Sequence, residues 1–175
     1  MPSLEKSIVD GLWAEPDERV YMVFDGASCP GLLPALYEQH NPQFECLYRG
    51  ELTPDMAQVA PYIAQLEPDT PFITWALSGW GAHWGILAVA ALPFNQMRLH
   101  FRKLNVVNGP DGNPLLFRYY DPRALRVVAP TCNAAQLREL FGPVQRYVIE
   151  HVEPAANALG RATTLALADG NLVMR

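Results

Sequence analysis

The chain has 175 residues, of which 50% are hydrophobic and 18% are charged, and its formal net charge is -5. This composition excludes a disordered chain and is typical of one globular domain with a sizeable core. The acidic total also argues against general nucleic-acid binding.

The charges are distributed unevenly along the chain. Residues 1–97 contain 3 Lys and Arg against 12 Asp and Glu, whereas residues 98–126 contain 6 against 2. Residues 127–175 are balanced, with 4 against 4. We therefore expect a basic region in an otherwise acidic protein, suited to an acidic partner surface or an anion.

The cysteine pattern and the hydropathy pattern bear on localisation. Cys29, Cys46 and Cys132 are odd in number and widely spaced, so they predict neither a disulfide framework nor a CxxC metal site. The amino terminus lacks a basic region followed by an apolar run, and the most apolar stretch, 85–92, is too short to cross a bilayer. The sequence predicts a soluble, cytoplasmic protein without a membrane partner.

The first half of the chain predicts alternating strands and helices. Residues 1–19 resemble a short amphipathic lead-in, 20–25 a buried strand, 30–40 a helix and 44–48 a second strand. The pairs Thr53-Pro54 and Thr70-Pro71 each match a helix cap followed by proline at the first helical position. The second of these helices is expected over Pro71–Ser78, before a central strand over 84–92.

The second half predicts a helix from Phe94 to Leu104, because its apolar residues recur at helical spacing. A hairpin is expected over 106–120, with Asp111-Gly112 as its turn signal. Asn133 and Gln136 match a capping box that opens a further helix, and Gly142 closes it. The segments 146–152 and 163–168 are each compatible with a strand or a helix.

Together these elements predict an α/β fold, a single layered domain with a mixed sheet flanked by helices. The domain is expected over residues 20–147. Residues 1–19 form its lead-in, and residues 148–175 form a carboxyl-terminal tail of uncertain structure.

The segment 114–123, Pro-Leu-Leu-Phe-Arg-Tyr-Tyr-Asp-Pro-Arg, is the most unusual stretch of the sequence. As an extended strand it would send Tyr119 to one face and Arg118 and Tyr120 to the other. Asp121 is suited to cap a helix whose first residue is Pro122. We expect a rigid corner that displays arginine and aromatic side chains outward.

Several residues invite a catalytic interpretation. Asp25 and Asp121 would form a carboxylate pair with His83 or His100 in a small hydrolase, provided that these groups meet in one cleft. Caps or turns are the favoured roles for both aspartates. The four histidines show no metal-binding spacing, and no cysteine is paired with a base, so the sequence predicts no metal, no cofactor and no covalent nucleophile.

The glycine-rich segment 79–85 follows a predicted helix and lacks the lysine of a phosphate-binding loop. Its Trp80 is favoured as a core residue, with a binding anchor as the second interpretation. The basic residues of 98–126 alternate with aromatic ones, which would also fit a platform for single-stranded nucleic acid. A solvated basic face is the default interpretation, followed by a patch that contacts a protein.

Eight segments in this order resemble one bacterial family, the effector chaperones, or adaptors, of the type VI secretion system, whose shared domain was long catalogued as one of unknown function. The resemblance runs from about Tyr21 to about Tyr147. It rests on the following fragments: Phe24-Asp25-Gly26-Ala27, Leu33-Pro34-Ala35-Leu36-Tyr37, Cys46-Leu47-Tyr48-Arg49-Gly50, Ala60-Pro61-Tyr62, Gly79-Trp80-Gly81 with Trp84-Gly85, Leu99-His100-Phe101-Arg102-Lys103-Leu104, Phe117-Arg118-Tyr119-Tyr120-Asp121-Pro122-Arg123 and Phe141-Gly142-Pro143.

The resemblance implies a cytoplasmic protein that binds one toxic effector and helps load it onto the spike tip protein of the secretion machine, without being an enzyme. It implies no catalytic or ligand set. Members of this family often carry a further carboxyl-terminal lobe, and this chain looks like a short form. We expect the effector to be held by apolar anchors within a polar rim, through Arg102, Arg118, Tyr120 and Arg123, together with Trp80.

Overall fold

In a computed structural model, which describes residues 8–151 and 162–175, the chain folds around one large sheet. Its strands are Arg19–Asp25 (β1), Phe44–Cys46 (β2), Pro61–Leu66 (β3), Gly85–Ala90 (β4), Arg146–Glu150 (β7), Ala162–Ala168 (β8) and Asn171–Met174 (β9). They lie in the order β2, β3, β1, β4, β7, β8, β9. The buried strand predicted over 20–25 is β1, and the central strand predicted over 84–92 is β4; the two lie side by side near the middle of the sheet.

Six α-helices accompany the sheet in the described part of the chain, together with a π-helical segment, Ala35–Gln39, and a short 3₁₀ helix, Ala129–Thr131. The α-helices are Leu32–Pro34 (α1), Pro54–Val59 (α2), Pro71–Ser78 (α3), Phe94–Leu104 (α4), Pro122–Val128 (α5) and Ala134–Phe141 (α6). The side chains of Thr53 and Thr70 cap α2 and α3, and Asp121 caps α5. Asn133 and Gln136 form the predicted capping box at the start of α6.

The two faces of the sheet carry separate apolar cores. Tyr21 and Val23 of β1 pack on one face with residues of α4, α5 and α6. Met22 and Phe24 pack on the other face with residues of α1 and α3. This division follows from the alternation of side chains along a strand, and it confirms the predicted layered α/β domain.

The direction of the strands differs from the prediction of a mixed sheet. Every strand pair in 8–151 and 162–175 is antiparallel. The strand β3, which the sequence did not reveal, pairs with β1 and β2 and separates them. The alternation of strands and helices therefore does not arise from parallel βαβ units.

The carboxyl-terminal segments are strands that extend the sheet. The ambiguous segments 146–152 and 163–168 correspond to β7 and β8, and β9, which was not predicted, pairs with β8 at the edge. Residues 152–161, which belong to the predicted tail, lie outside the described residues. Of the predicted lead-in, residues 1–7 lie outside them too, whereas Ile8 and Leu12 are buried in the core.

The strands Val106–Asn108 (β5) and Pro114–Leu116 (β6) form a separate two-stranded sheet. This confirms the predicted hairpin, whose turn contains Gly112 with a φ of 79°. The strand stops at Leu116, however, so the predicted extension to residue 120 is wrong. Phe117 N–H donates to the carbonyl of Asn105, and the chain then turns into α5.

No helix in the described ranges is both long enough and apolar enough to span a membrane.

Candidate functional site

The predicted corner after the hairpin is a network of ion pairs. The guanidinium of Arg118 donates to the carboxylate of Asp25, which also accepts from Ala27 N–H at 3.2 Å and from Ser28 Oγ at 3.0 Å. Asp25 is almost completely buried, whereas the Arg118 side chain is 45% exposed. The carboxylate position is therefore fixed by three donors, and the arginine covers it from the solvent side.

Arg123 and Asp121 form a second pair at the start of α5. Arg123 Nε donates to Asp121 Oδ1 at 3.0 Å, and Arg123 Nη2 donates to Asp121 Oδ2 at 2.9 Å. Burial opposes ionisation of Asp121, but the hydrogen bonds from Arg123 outweigh it, and the Arg118 charge adds to them, so the pKa of Asp121 is lowered. The structure thus brings Arg118 and Arg123 together around two carboxylates.

The predicted outward display of the tyrosines is wrong. Tyr120 is only 1% exposed, and its hydroxyl lies 3.4 Å from that of Tyr48. Tyr119 is fully buried and donates to the carbonyl of Phe101 at 2.8 Å. Both rings point inward because the chain turns after Leu116, which ends the strand alternation on which the prediction depended.

The other two predicted contact residues are also partly or wholly engaged inside the protein. Arg102 donates to the carbonyl of Cys46 at 2.8 Å, and its side chain is 19% exposed. Trp80 is 8% exposed, in agreement with the favoured core interpretation. Of the five predicted contact residues, Arg118 and Arg123 present the largest side-chain area to solvent.

The groups of the hydrolase hypothesis are each engaged elsewhere. Asp25 is held by Arg118 and a turn, and Asp121 caps α5. His83 Nδ1 lies 2.7 Å from Glu150 Oε2. His100 packs against Gly142, on a different element from both aspartates. The two aspartates thus have the roles favoured from the sequence, a turn for Asp25 and a helix cap for Asp121.

The cysteines give little support to a nucleophilic thiol, and the potential metal ligands in the described residues give little support to a metal site. Burial, together with the neighbouring Asp25 charge, raises the pKa of the Cys29 thiol to about 12, and burial raises the pKa values of Cys46 and Cys132. These thiols are therefore protonated at neutral pH and are poor nucleophiles. Within 8–151 and 162–175, no three His, Cys, Asp or Glu side chains converge as metal ligands.

The hairpin forms one wall of a large open groove, which we call the hairpin groove. It has a volume of about 980 Å³. The hairpin contributes Val106, Val107, Leu115 and Leu116, α4 contributes His100, Lys103 and Leu104, and α6 contributes Gln136, Arg138, Glu139 and Leu140. The four aliphatic side chains of the hairpin are between 38% and 59% exposed.

The hairpin is apolar on both faces, which is uncommon for an exposed pair of strands. Val106 lies opposite Leu116, and Val107 lies opposite Leu115. Since neighbouring residues of a strand point to opposite faces, each face carries one aliphatic pair. A two-stranded sheet on its own is marginally stable in water, so covering these pairs with a partner would stabilise the hairpin.

The histidine that lines the groove is uncharged, and the exposed cations Lys103 and Arg138 lie on the rim. Burial lowers the pKa of His100 to about 4, so its imidazole is neutral at neutral pH. Lys103 and Arg138 have no carboxylate within 4.0 Å among the described residues, and Glu139 is the single acidic side chain that lines the groove there.

Sequence reasoning found the hairpin but not its exposed aliphatic pairs. The signal was present in the consecutive pairs Val106-Val107 and Leu115-Leu116, because an exposed strand normally alternates apolar and polar residues. The predicted contact residues were instead the aromatic and charged residues that follow the hairpin.

Comparison with known proteins gives one family. Residues 20–139, more than half of the chain, match the family described as "Domain of unknown function (DUF4123)". No curated protein and no solved structure matches the chain. The matched range includes most of β1, the hairpin and most of α6, and therefore the segment around Arg118 and most of the residues that line the hairpin groove. The chain belongs to the DUF4123 family.

Proposed function

We propose that this protein is a cytoplasmic adaptor that binds one effector of a type VI secretion system and assists its loading onto the spike tip protein. The DUF4123 family is associated with chaperones of such effectors, and eight sequence fragments resemble those chaperones. The proposed partners are thus the secreted effector and the spike tip protein, and neither nucleic acid nor a membrane is required.

The observation that carries the proposal is the hairpin groove within the matched range. Exposed, contiguous apolar side chains bounded by polar residues are typical of protein–protein contact sites. The groove is open, and its aliphatic wall belongs to an element outside the main sheet. Such a surface suits an adaptor that holds a polypeptide segment.

The proposed role involves no chemical step, and the engaged state of the candidate catalytic groups supports it. The carboxylates of Asp25 and Asp121 are each committed to arginine and to backbone donors. The arginines Arg118 and Arg123 therefore have a structural role in the segment that joins the hairpin to α5.

A secretion assay tests the proposal. In the bacterium that encodes this chain, deletion of the gene should remove one effector from the culture supernatant while the spike proteins and other effectors are still secreted. Supplying the gene on a plasmid should restore secretion of that effector. Unchanged secretion of every effector after deletion would contradict the proposal.

A further inference from the structure

We propose that the hairpin groove binds a segment with two or more large apolar side chains flanked by carboxylates, contributed by the client protein. This inference rests on the proposed adaptor function and specifies the chemistry of the partner. It follows from the apolar walls of the groove, from the charges on its rim and from the charge of the rest of the protein.

The aliphatic side chains that line the groove favour apolar side chains in the partner segment. The four hairpin aliphatics Val106, Val107, Leu115 and Leu116 all line the groove, as do Leu104 of α4 and Leu140 of α6. The only histidine among the groove residues, His100, is neutral at neutral pH. A charged or purely polar segment would lose water there without gaining a partner.

The basic side chains on the rim of the groove favour carboxylates in the partner segment. Of the basic residues of α4, Lys103 lines the groove, and its side chain is exposed. Arg138 adds a further cation from α6, against the single carboxylate of Glu139. The one acid of the hairpin, Asp111, is held in the turn by Asn113, whose side-chain nitrogen donates to it at 2.6 Å. The cations of the rim thus exceed its available carboxylates.

The net charge of the whole chain favours binding of an acidic partner at the groove rim over binding elsewhere on the surface. The protein carries a net charge of -5, so an acidic partner is repelled by most of the surface and is attracted at the groove rim. Electrostatic complementarity of this kind sets orientation and rate of association.

A second copy of the same chain is a less suitable occupant. In a two-fold symmetric dimer the same patch faces itself, so two copies of the groove would meet, each with two exposed cations against one carboxylate. The charge that favours an acidic client therefore opposes self-association through this groove.

Selection from a random peptide library displayed on phage tests the inference, with the purified full chain as the bait. Enriched peptides should contain apolar residues flanked by Asp or Glu. Synthetic peptides of the enriched sequences should bind at least about tenfold more weakly to Lys103→Glu/Arg138→Glu, and more weakly at high salt, because surface charges are screened beyond about 10 Å at ~0.1 M salt.

Matched variants separate the groove from a general loss of apolar or basic surface. Leu115→Thr/Leu116→Thr keeps strand-compatible side chains and should also weaken binding at least about tenfold, since two apolar contacts are removed. Val127→Thr changes an aliphatic side chain that is 70% exposed and does not line the groove, and Arg49→Glu reverses an exposed charge elsewhere. Both controls should bind like the unaltered chain.

Three outcomes would overturn the inference: enrichment of basic or purely polar peptides, equal binding by the groove variants and the controls, and no enrichment beyond that on Leu115→Thr/Leu116→Thr. Each of these can occur while deletion of the gene still abolishes secretion of one effector. In that case the adaptor function would stand, and its client site would lie on another surface.

Discussion

The guanidinium of Arg118 donates to the buried carboxylate of Asp25, 93 residues earlier in the chain. This contact joins the segment after the hairpin to the end of the central strand β1. It also changes what a mutation of Arg118 tests, because an arginine that neutralises a buried carboxylate affects folding as well as binding.

Arg118→Glu should therefore destabilise the protein. The substitution places a second negative charge beside Asp25, and loss of a partly exposed ion-pair partner should cost roughly 1–3 kcal/mol of unfolding free energy. Urea denaturation measures this change. Arg123→Glu is the matched control, because its partner Asp121 is less buried than Asp25, and it should cost less than about 1 kcal/mol. Equal midpoints for the two variants would contradict the structural role of Arg118.

Tyr119→Phe should destabilise the protein by roughly 1–2 kcal/mol. The Tyr119 hydroxyl donates to the carbonyl of Phe101, one of the last four carbonyls of α4, which lack partners within the helix. Removing the hydroxyl leaves a buried acceptor unsatisfied. Thermal unfolding should show this loss, whereas Tyr37→Phe, at an exposed position, should remain within about 0.5 kcal/mol of the unaltered chain. A Tyr119→Phe protein as stable as the control would contradict the assignment.

Gly85→Ala should cost roughly 3 kcal/mol or more, or prevent folding. A Cβ at this position of β4 would lie 2.2 Å from the carbonyl oxygen of Val23 in the paired strand β1, so the centre of the sheet would have to move. At Gly11 the nearest atom would be 3.6 Å away, and Gly11→Ala should be tolerated. Soluble yield and circular dichroism of the two variants provide the comparison, and a well-folded Gly85→Ala protein would contradict the strand register.

The stability of the protein should fall as the pH decreases from about 6.5 to about 4. Burial lowers the pKa of His100 from 6.5 to about 4, so within this range the unfolded chain binds a proton that the folded chain does not. The unfolding free energy therefore rises with pH across the window, by at most about 3 kcal/mol.

His100→Phe isolates this contribution. Between pH 5 and pH 6.5, where few carboxylates titrate, the dependence of the urea midpoint on pH should be weaker in the variant than in the unaltered chain. An identical dependence in the two proteins would show that His100 is not the group responsible.

Local rules predicted the elements whose signals are local. Thr53, Thr70, Asp121 and Asn133 all cap helices in the structure, because a cap depends on a few consecutive residues. The strand β3 was missed, since a short apolar run flanked by helix signals has no distinctive periodicity. The antiparallel direction of the strands was not predicted either, because it is set by pairing between segments that are distant in the sequence.

The candidate site was predicted only in part. The charge of residues 98–126 indicated a basic region, and cations do lie on the rim of the hairpin groove. The inward turn of Tyr120 and the commitment of Arg118 to Asp25 depend on contacts across 72 and 93 residues, for which no sequence spacing gives a signal. The proposal of client binding depends on the four aliphatic side chains of the hairpin, and their exposure is visible only in the structure.

Co-purification tests the central claim most directly. The effector whose secretion is lost on gene deletion is co-expressed with the unaltered chain, with Leu115→Thr/Leu116→Thr and with Val127→Thr, and the amount retained on the tagged chain is measured. The account predicts retention by the unaltered chain and by Val127→Thr, and loss of most of the effector from a folded Leu115→Thr/Leu116→Thr protein. Equal retention by all three proteins, or no retention by any, would contradict it.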